Sequence, residues 1–224
     1  MIEENKLVRE SIERISFDKS LMITSLAEVE YGRSKEIQEG LDIKRLTGKD
    51  IGIRFVDIEA YMALNIDGNK KRRSSLPDAL MINILKTKVS DPKNIYIAIK
   101  PDVNDSSLIH EIAHVMDYID GSGILPAFAR ALALEFFIPI EHLEHPHEFG
   151  YWFEYLKKRF SVVPDAEDTI LYFLYKNRML IKGEDIKGQN GRLLKEKSNN
   201  IIKFLSENSQ KIYSLIKDLP GYMN

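Results

Sequence analysis

Asp105-Ser106-Ser107-Leu108-Ile109-His110-Glu111-Ile112-Ala113-His114-Val115-Met116-Asp117 is the stretch on which the reading of this chain turns. Leu108, Ile112, Val115, Met116 and Ile119 recur at helical spacing and trace one apolar face. Pro101 opens a turn ahead of them, the residues up to Ser107 offer several N-caps, and Asp120-Gly121-Ser122-Gly123 stops the helix. One helical turn separates His110 from His114, so both imidazoles project from the same face and can reach one cation, with Glu111 beside them. Those residue types at that spacing suit a metal-activated water served by a carboxylate base. The apolar face lies opposite, which predicts a histidine face that lines a cleft.

Outward from this helix the chain changes character on either side. Residues 51–56, 79–85 and 94–99 are short, rich in β-branched side chains and bounded by Gly, Pro, Asn or Asp, so they read as strands of a small sheet. Residues 2–39 alternate charged and apolar positions (Leu7, Ile12, Ile15, then Leu26, Val29, Ile37) and read as two amphipathic helices packed over that sheet. Beyond the motif everything reads as helix: from Pro126, a good first helical residue, to Pro139, then about 149–160, 166–177 and 193–217. Residues 183–191, with three glycines among charges, read as a linker or mobile loop. Four consecutive cations, Lys70 to Arg73, follow turn residues and read as a solvated hairpin tip more readily than as a nucleic-acid patch.

The composition limits the function classes. A chain of 224 residues, 44% hydrophobic and 29% charged, is long enough for one generous domain, or for a catalytic domain with a helical appendix. The formal net charge of -2 gives no global reason to bind nucleic acid or an anionic membrane. With no cysteine there is neither a disulfide framework nor a thiolate metal site, so a metal must be held by His, Asp or Glu. No signal peptide or membrane-spanning run is legible, which makes the cytoplasm the expected location.

A catalytic zinc commonly takes three protein ligands, and the first two leave three candidates for the third. Glu135 is favoured: it lies in a helix so apolar on every side that burial is expected, and a buried carboxylate is costly unless paired or metal-bound. Asp120 is the second candidate, although a plain helix terminator suits it better. The third is the polar stretch after Pro139, where His142, His145 and His147 alternate with Glu141, Glu144 and Glu148. One of these residues, or Tyr118 or Tyr151, could also steady an oxyanion.

Taken in order, the pieces resemble the ImmA/IrrE family of zinc metallopeptidases. A strand-rich region precedes the HExxH helix, and an Ala- and Phe-rich helix ending Phe136-Phe137-Ile138-Pro139 follows it. Next come Leu156-Lys157-Lys158-Arg159-Phe160-Ser161-Val162-Val163-Pro164-Asp165-Ala166, Leu171 and Asn177-Arg178-Met179-Leu180-Ile181. The likeness covers about residues 51–181. It implies a zincin-like fold with His110 and His114 as zinc ligands and Glu111 as general base. It also implies a protein substrate of the helix-turn-helix transcriptional-repressor kind. The spacing from His114 to Glu135 is similar to that of gluzincins, the thermolysin-like zincins whose third ligand is a Glu on the next helix. The ImmA/IrrE family instead places a Glu near the start of that helix, where this chain has Phe128, two turns before Glu135.

The expectation is therefore an α+β protein. A helical segment, 1–40, packs on a zincin-like core, 41–140, and a helical region, 141–224, contains a helix-turn-helix-like stretch at 156–181. Acidic and aromatic residues at 166–173 favour packing beside the catalytic domain over DNA readout. Zn2+ is the expected cofactor, bound by His110, His114 and Glu135. Two further classes stay open: an inactive zincin-like regulator that binds a repressor or DNA, and a metal-stabilised structural protein. Residues 94–99, just before the motif helix, are the expected sheet edge for an extended substrate.

Overall fold

The run Asn94-Ile95-Tyr96-Ile97-Ala98-Ile99 is almost unbroken in its apolar character, which suits a strand buried on both faces. In the computed structural model, which describes residues 2–66 and 76–219 with side chains from Glu13 onward, it is the central strand of a three-stranded sheet. Strands β1 (Gly52–Asp57), β2 (Ala79–Met81) and β3 (Asn94–Ile99) lie in the order β1-β3-β2. β1 runs parallel to β3, from Gly52 opposite Asn94 to Asp57 opposite Ile99, and β2 runs antiparallel, from Ala79 opposite Ile99 to Met81 opposite Ile97. Residues 94–99 are thus flanked on both sides, so β3 is not the free edge expected for an added strand. The fold class is α+β, as expected, with twelve helices and this one sheet among the described residues. None of the helices is long and apolar enough to cross a membrane.

Contacts divide the chain into two units, residues 1–104 and 105–224, where the sequence suggested breaks near 40 and 140. In the first unit, helix α1 (Ile2–Thr24) leaves Ile15, Phe17 and Leu21 about half exposed and is anchored at its end. There Ile23 is fully buried, and the Ser20 hydroxyl donates to the Thr87 carbonyl and bonds Ser90 Oγ. The second N-terminal helix is shorter than expected, α2 (Ser34–Gly40). Leu26 and Val29 fall in the connection, and the Val29 N–H donates to Phe55 O at 2.9 Å, extending pairing along the edge of β1. A single turn, α3 (Ile43–Thr47), precedes β1. Helix α4 (Ile58–Ala63) was not legible as such; it starts because Asp57, the last strand residue, turns its carboxylate onto the Ala60 N–H. The strand expected at 79–85 stops at Met81 because Asn83 Oδ1 caps the Leu85 N–H and starts a 3-10 turn, Ile84–Lys86. The cationic tip expected at residues 67–75 lies outside the described residues.

Among its described residues the second unit contains helices and no strand. Its elements are α5 (Asp105–Asp120), α6 (Pro126–Phe136), α7 (Glu141–Glu144), α8 (His147–Arg159), α9 (Ala166–Lys176), α10 (Gly183–Lys187), α11 (Gly191–Glu207) and α12 (Ser209–Ile216). Helix α5 packs along α8, and α8 along α9. A core of Ala129, Leu132, Leu143, Leu174, Ile186, Leu194 and Ile201 joins α6, α7, α9, α10 and α11. The expected linker at 183–191 is therefore structured: Gly183 donates its N–H to Glu148 Oε2, Ile186 is fully buried, and Asn190 caps α11. Glycine is needed at 183 because a Cβ there would stand 2.4 Å from that of Ser122. The long terminal helix expected at 193–217 breaks at Asn208 into α11 and α12.

Buried Asp117 shapes the exit from α5. Its carboxylate accepts the Ser122 N–H at 2.7 Å and the Ser122 hydroxyl at 2.6 Å, stapling the turn that carries Gly121 and left-handed Gly123. Burial, reinforced by the charge of Glu148 and opposed by the Ser122 hydrogen bonds and Lys187, pushes this carboxyl up to about 6. A carboxylate raised in the folded state costs nothing below its unfolded pKa; the cost appears as pH rises through that value and is complete above the folded one. Asp117→Asn keeps the shape without the charge. Its stability relative to wild type should grow by about 1–2 kcal/mol between pH 5 and pH 7.5 in urea unfolding. Ile186→Ala should cost about 2–5 kcal/mol in the same assay, whereas a mobile loop would tolerate it.

Candidate metal centre

Helix α5 places Ser106, His110, His114 and Asp117 along its length, all of them largely enclosed. His114 is 7% exposed, and the His110 side chain 18%. The histidine face expected to line an open cleft is therefore mostly covered. The cover within this unit comes from α8, whose Phe149 ring centroid lies 5.1 Å from that of His110, 4.6 Å from His114 and 4.7 Å from His145.

The third group at the site is His145, the residue after the single turn α7. Nitrogens of His110, His114 and His145 lie within 4.8 Å of one another, and Nε2 of His110 is 3.1 Å from Nε2 of His145. The other nitrogen of each of these two rings is already engaged. His110 Nδ1 is 2.6 Å from Asp168 Oδ1, and His145 Nδ1 is 3.1 Å from the Glu141 carbonyl oxygen. A carboxylate and a carbonyl only accept, so both Nδ1 atoms carry hydrogens. In neutral rings the two Nε2 lone pairs then face each other, which demands a shared proton or a cation. Donors around a tetrahedral zinc with bonds of 2.0–2.1 Å stand about 3.4 Å apart, a spacing that this pair approaches. The three histidines could thus hold a metal ion.

The electrostatics favour one positive charge at the cluster. Burial opposes protonation of His110, but the hydrogen bond and charge of Asp168, with Glu111 and Glu167, outweigh it and push this imidazole up to about 9. Burial and the charge of His110 hold His145 down to about 3, and burial with both neighbouring histidines takes His114 well below the ordinary range. Two rings stay neutral beside one that carries the proton, a charge that a bound cation would take over.

The other sequence candidates lie elsewhere. Glu135 is exposed on α6, which buries only Ala129, Leu132 and Ala133 and leaves Leu134 67% and Phe137 90% exposed. Its apolar composition thus misled the burial argument, and the place expected for Glu135 beside His110 and His114 is held by His145. Asp120 ends α5 in solvent. His142 is buried and bonds Ser198 Oγ at 2.8 Å, His147 packs on Tyr175, and Glu144 pairs with Arg130 at 2.8 Å. Tyr151 is 54% exposed against Trp152. Glu111 is half-buried next to His110 in sequence. Asp168 was not among the expected site residues: the sequence placed it in the acidic and aromatic stretch 166–173, and it stands in the first turn of α9, where acidic residues are common.

Comparison of the chain with protein-family models, with curated proteins and with solved structures gives no significant match. The site is therefore read from its own geometry. Metal content measured by plasma mass spectrometry should fall from about one ion per chain to well below that in His145→Ala. Glu135→Ala should keep the full complement.

Proposed function

We propose that this protein is a zinc metallopeptidase. The observation that supports the reading most is the meeting of His145 with the two histidines of the HExxH helix, with the outer nitrogens of His110 and His145 already tied down. Three donors suit a catalytic zinc, which keeps one position for water or substrate, better than a structural one, which closes with four. Imidazole suits zinc among several transition metals, and without cysteine no thiolate competes.

Zinc bound there would supply Lewis acidity and a water that ionises near neutral pH. Glu111 is the base: its carboxylate takes a proton from the attacking water and returns it to the leaving amine. Asp168 and the Glu141 carbonyl orient two of the rings, and Phe149 with Phe153 excludes water from one side of the cluster. The resemblance to the ImmA/IrrE peptidases favours a narrow target, a helix-turn-helix repressor, and with it a zincin-like fold and work in the cytoplasm.

Glu111→Gln should retain zinc and abolish cleavage. Incubated with a native protein extract of the source cell, the zinc-loaded wild type should generate a small set of new N-termini that the Glu111→Gln protein does not. Identical sets of termini from the two proteins would sink the peptidase reading.

A further inference from the structure

In a reciprocal capping box the N-cap side chain accepts the N–H three residues on, and the side chain of that later residue reaches back to the N-cap N–H. Helix α9 makes only the first of these two bonds. Asp165 caps the Asp168 N–H at 2.9 Å, but its own N–H is taken by Ser106 Oγ at 3.0 Å, from the first turn of α5. The Asp168 carboxylate is left to turn outward from α9. There Oδ2 accepts the Ser106 hydroxyl, and Oδ1 accepts His110 Nδ1–H at 2.6 Å. Ser106 and His110 stand one helical turn apart on α5, so a single carboxylate spans both.

The Asp168 side chain is 4% exposed. Burying a carboxylate is costly unless charge or hydrogen bonds compensate, and here His110 and Ser106 provide them. We propose that Asp168 is the positioning residue of the metal centre, fixing the orientation and tautomer of His110 and strengthening Nε2 as a donor through its negative charge. Helix α9 then belongs to the metal site, and the helix-turn-helix-like stretch at 156–181 has an acid in the first turn of its second helix committed to His110 and unavailable for reading DNA. Ser106 keeps the carboxylate in place by occupying the two groups that would otherwise pair within α9.

The inference rests on the zinc reading above, and zinc affinity tests the two separately. Asp168→Asn retains an oxygen that accepts the His110 Nδ1–H and removes only the charge; Asp168→Ala removes both. Zinc dissociation constants, from competition with a chromophoric chelator, should weaken in the order wild type, Asp168→Asn, Asp168→Ala, by about 10–100-fold for the last. The visible spectrum of the cobalt-substituted protein should shift in both variants. A side chain with only a structural role would lower the melting temperature of the metal-free protein and leave these two readouts at wild-type values, and that result would overturn the proposal. Should Asp168→Asn fail to fold, Ser106→Ala carries the test: a several-fold loss of zinc affinity supports the role, and unchanged affinity removes it. A wild-type protein that takes up no zinc would defeat the metal reading first, and this inference with it.

Discussion

A largely enclosed imidazole has two nitrogens to satisfy and little access to water, and this constraint at His110 organises the helical unit. One nitrogen is tied to Asp168; the other meets His145 across 3.1 Å. Each tie recruits a different helix. Asp168 draws in the start of α9, and His145 requires α7 to end against α5 with the ring held from behind by the Glu141 carbonyl. Phe149 of α8 then closes over all three imidazoles. The aromatic cover and the carboxylate partner act in opposite directions on the basicity of His110: burial lowers it, and the hydrogen bond and charge of Asp168 raise it by more.

The single turn α7 is too short to be stable alone, so the place of His145 depends on what grips that turn. Leu143 is fully buried in the core, His142 bonds Ser198 of α11, and Glu144 pairs with Arg130 of α6. Arg130 is about half exposed, so that ion pair contributes little to stability. The buried contacts carry the positioning. The C-terminal helices are thus part of the scaffold for the candidate site. Burying Ile186 and pairing Gly183 with Glu148 makes the glycine-rich stretch a structural joint of the same scaffold.

The first unit follows a different rule. Its sheet is organised by the apolar run of β3, which takes the centre because it can be covered on both faces, while β1 and β2 flank it. The polar residues at its joints act locally: Asp57 ends a strand and caps a helix, and Asn83 ends another and starts a 3-10 turn. At these two joints a capping side chain diverts the backbone where the local sequence pattern alone does not show the turn.

The sequence by itself determined what depends on near neighbours along the chain. The helical spacing of Leu108, Ile112, Val115 and Met116, the single turn between His110 and His114, and the β-branched run at 94–99 are all local, and local preference carried them into the structure. The third member of the cluster and the partner of His110 were decided only by tertiary packing. His145 lies 35 residues from His110 and Asp168 lies 58; the sequence offered His145 only as one of several polar residues after Pro139, and Asp168 only as part of an acidic and aromatic stretch at 166–173. Glu135 looked buried because its helix is apolar all round, yet packing left Leu134 and Phe137 in solvent beside it. Composition says how much surface a helix could bury; only the arrangement of the other helices says which side is covered.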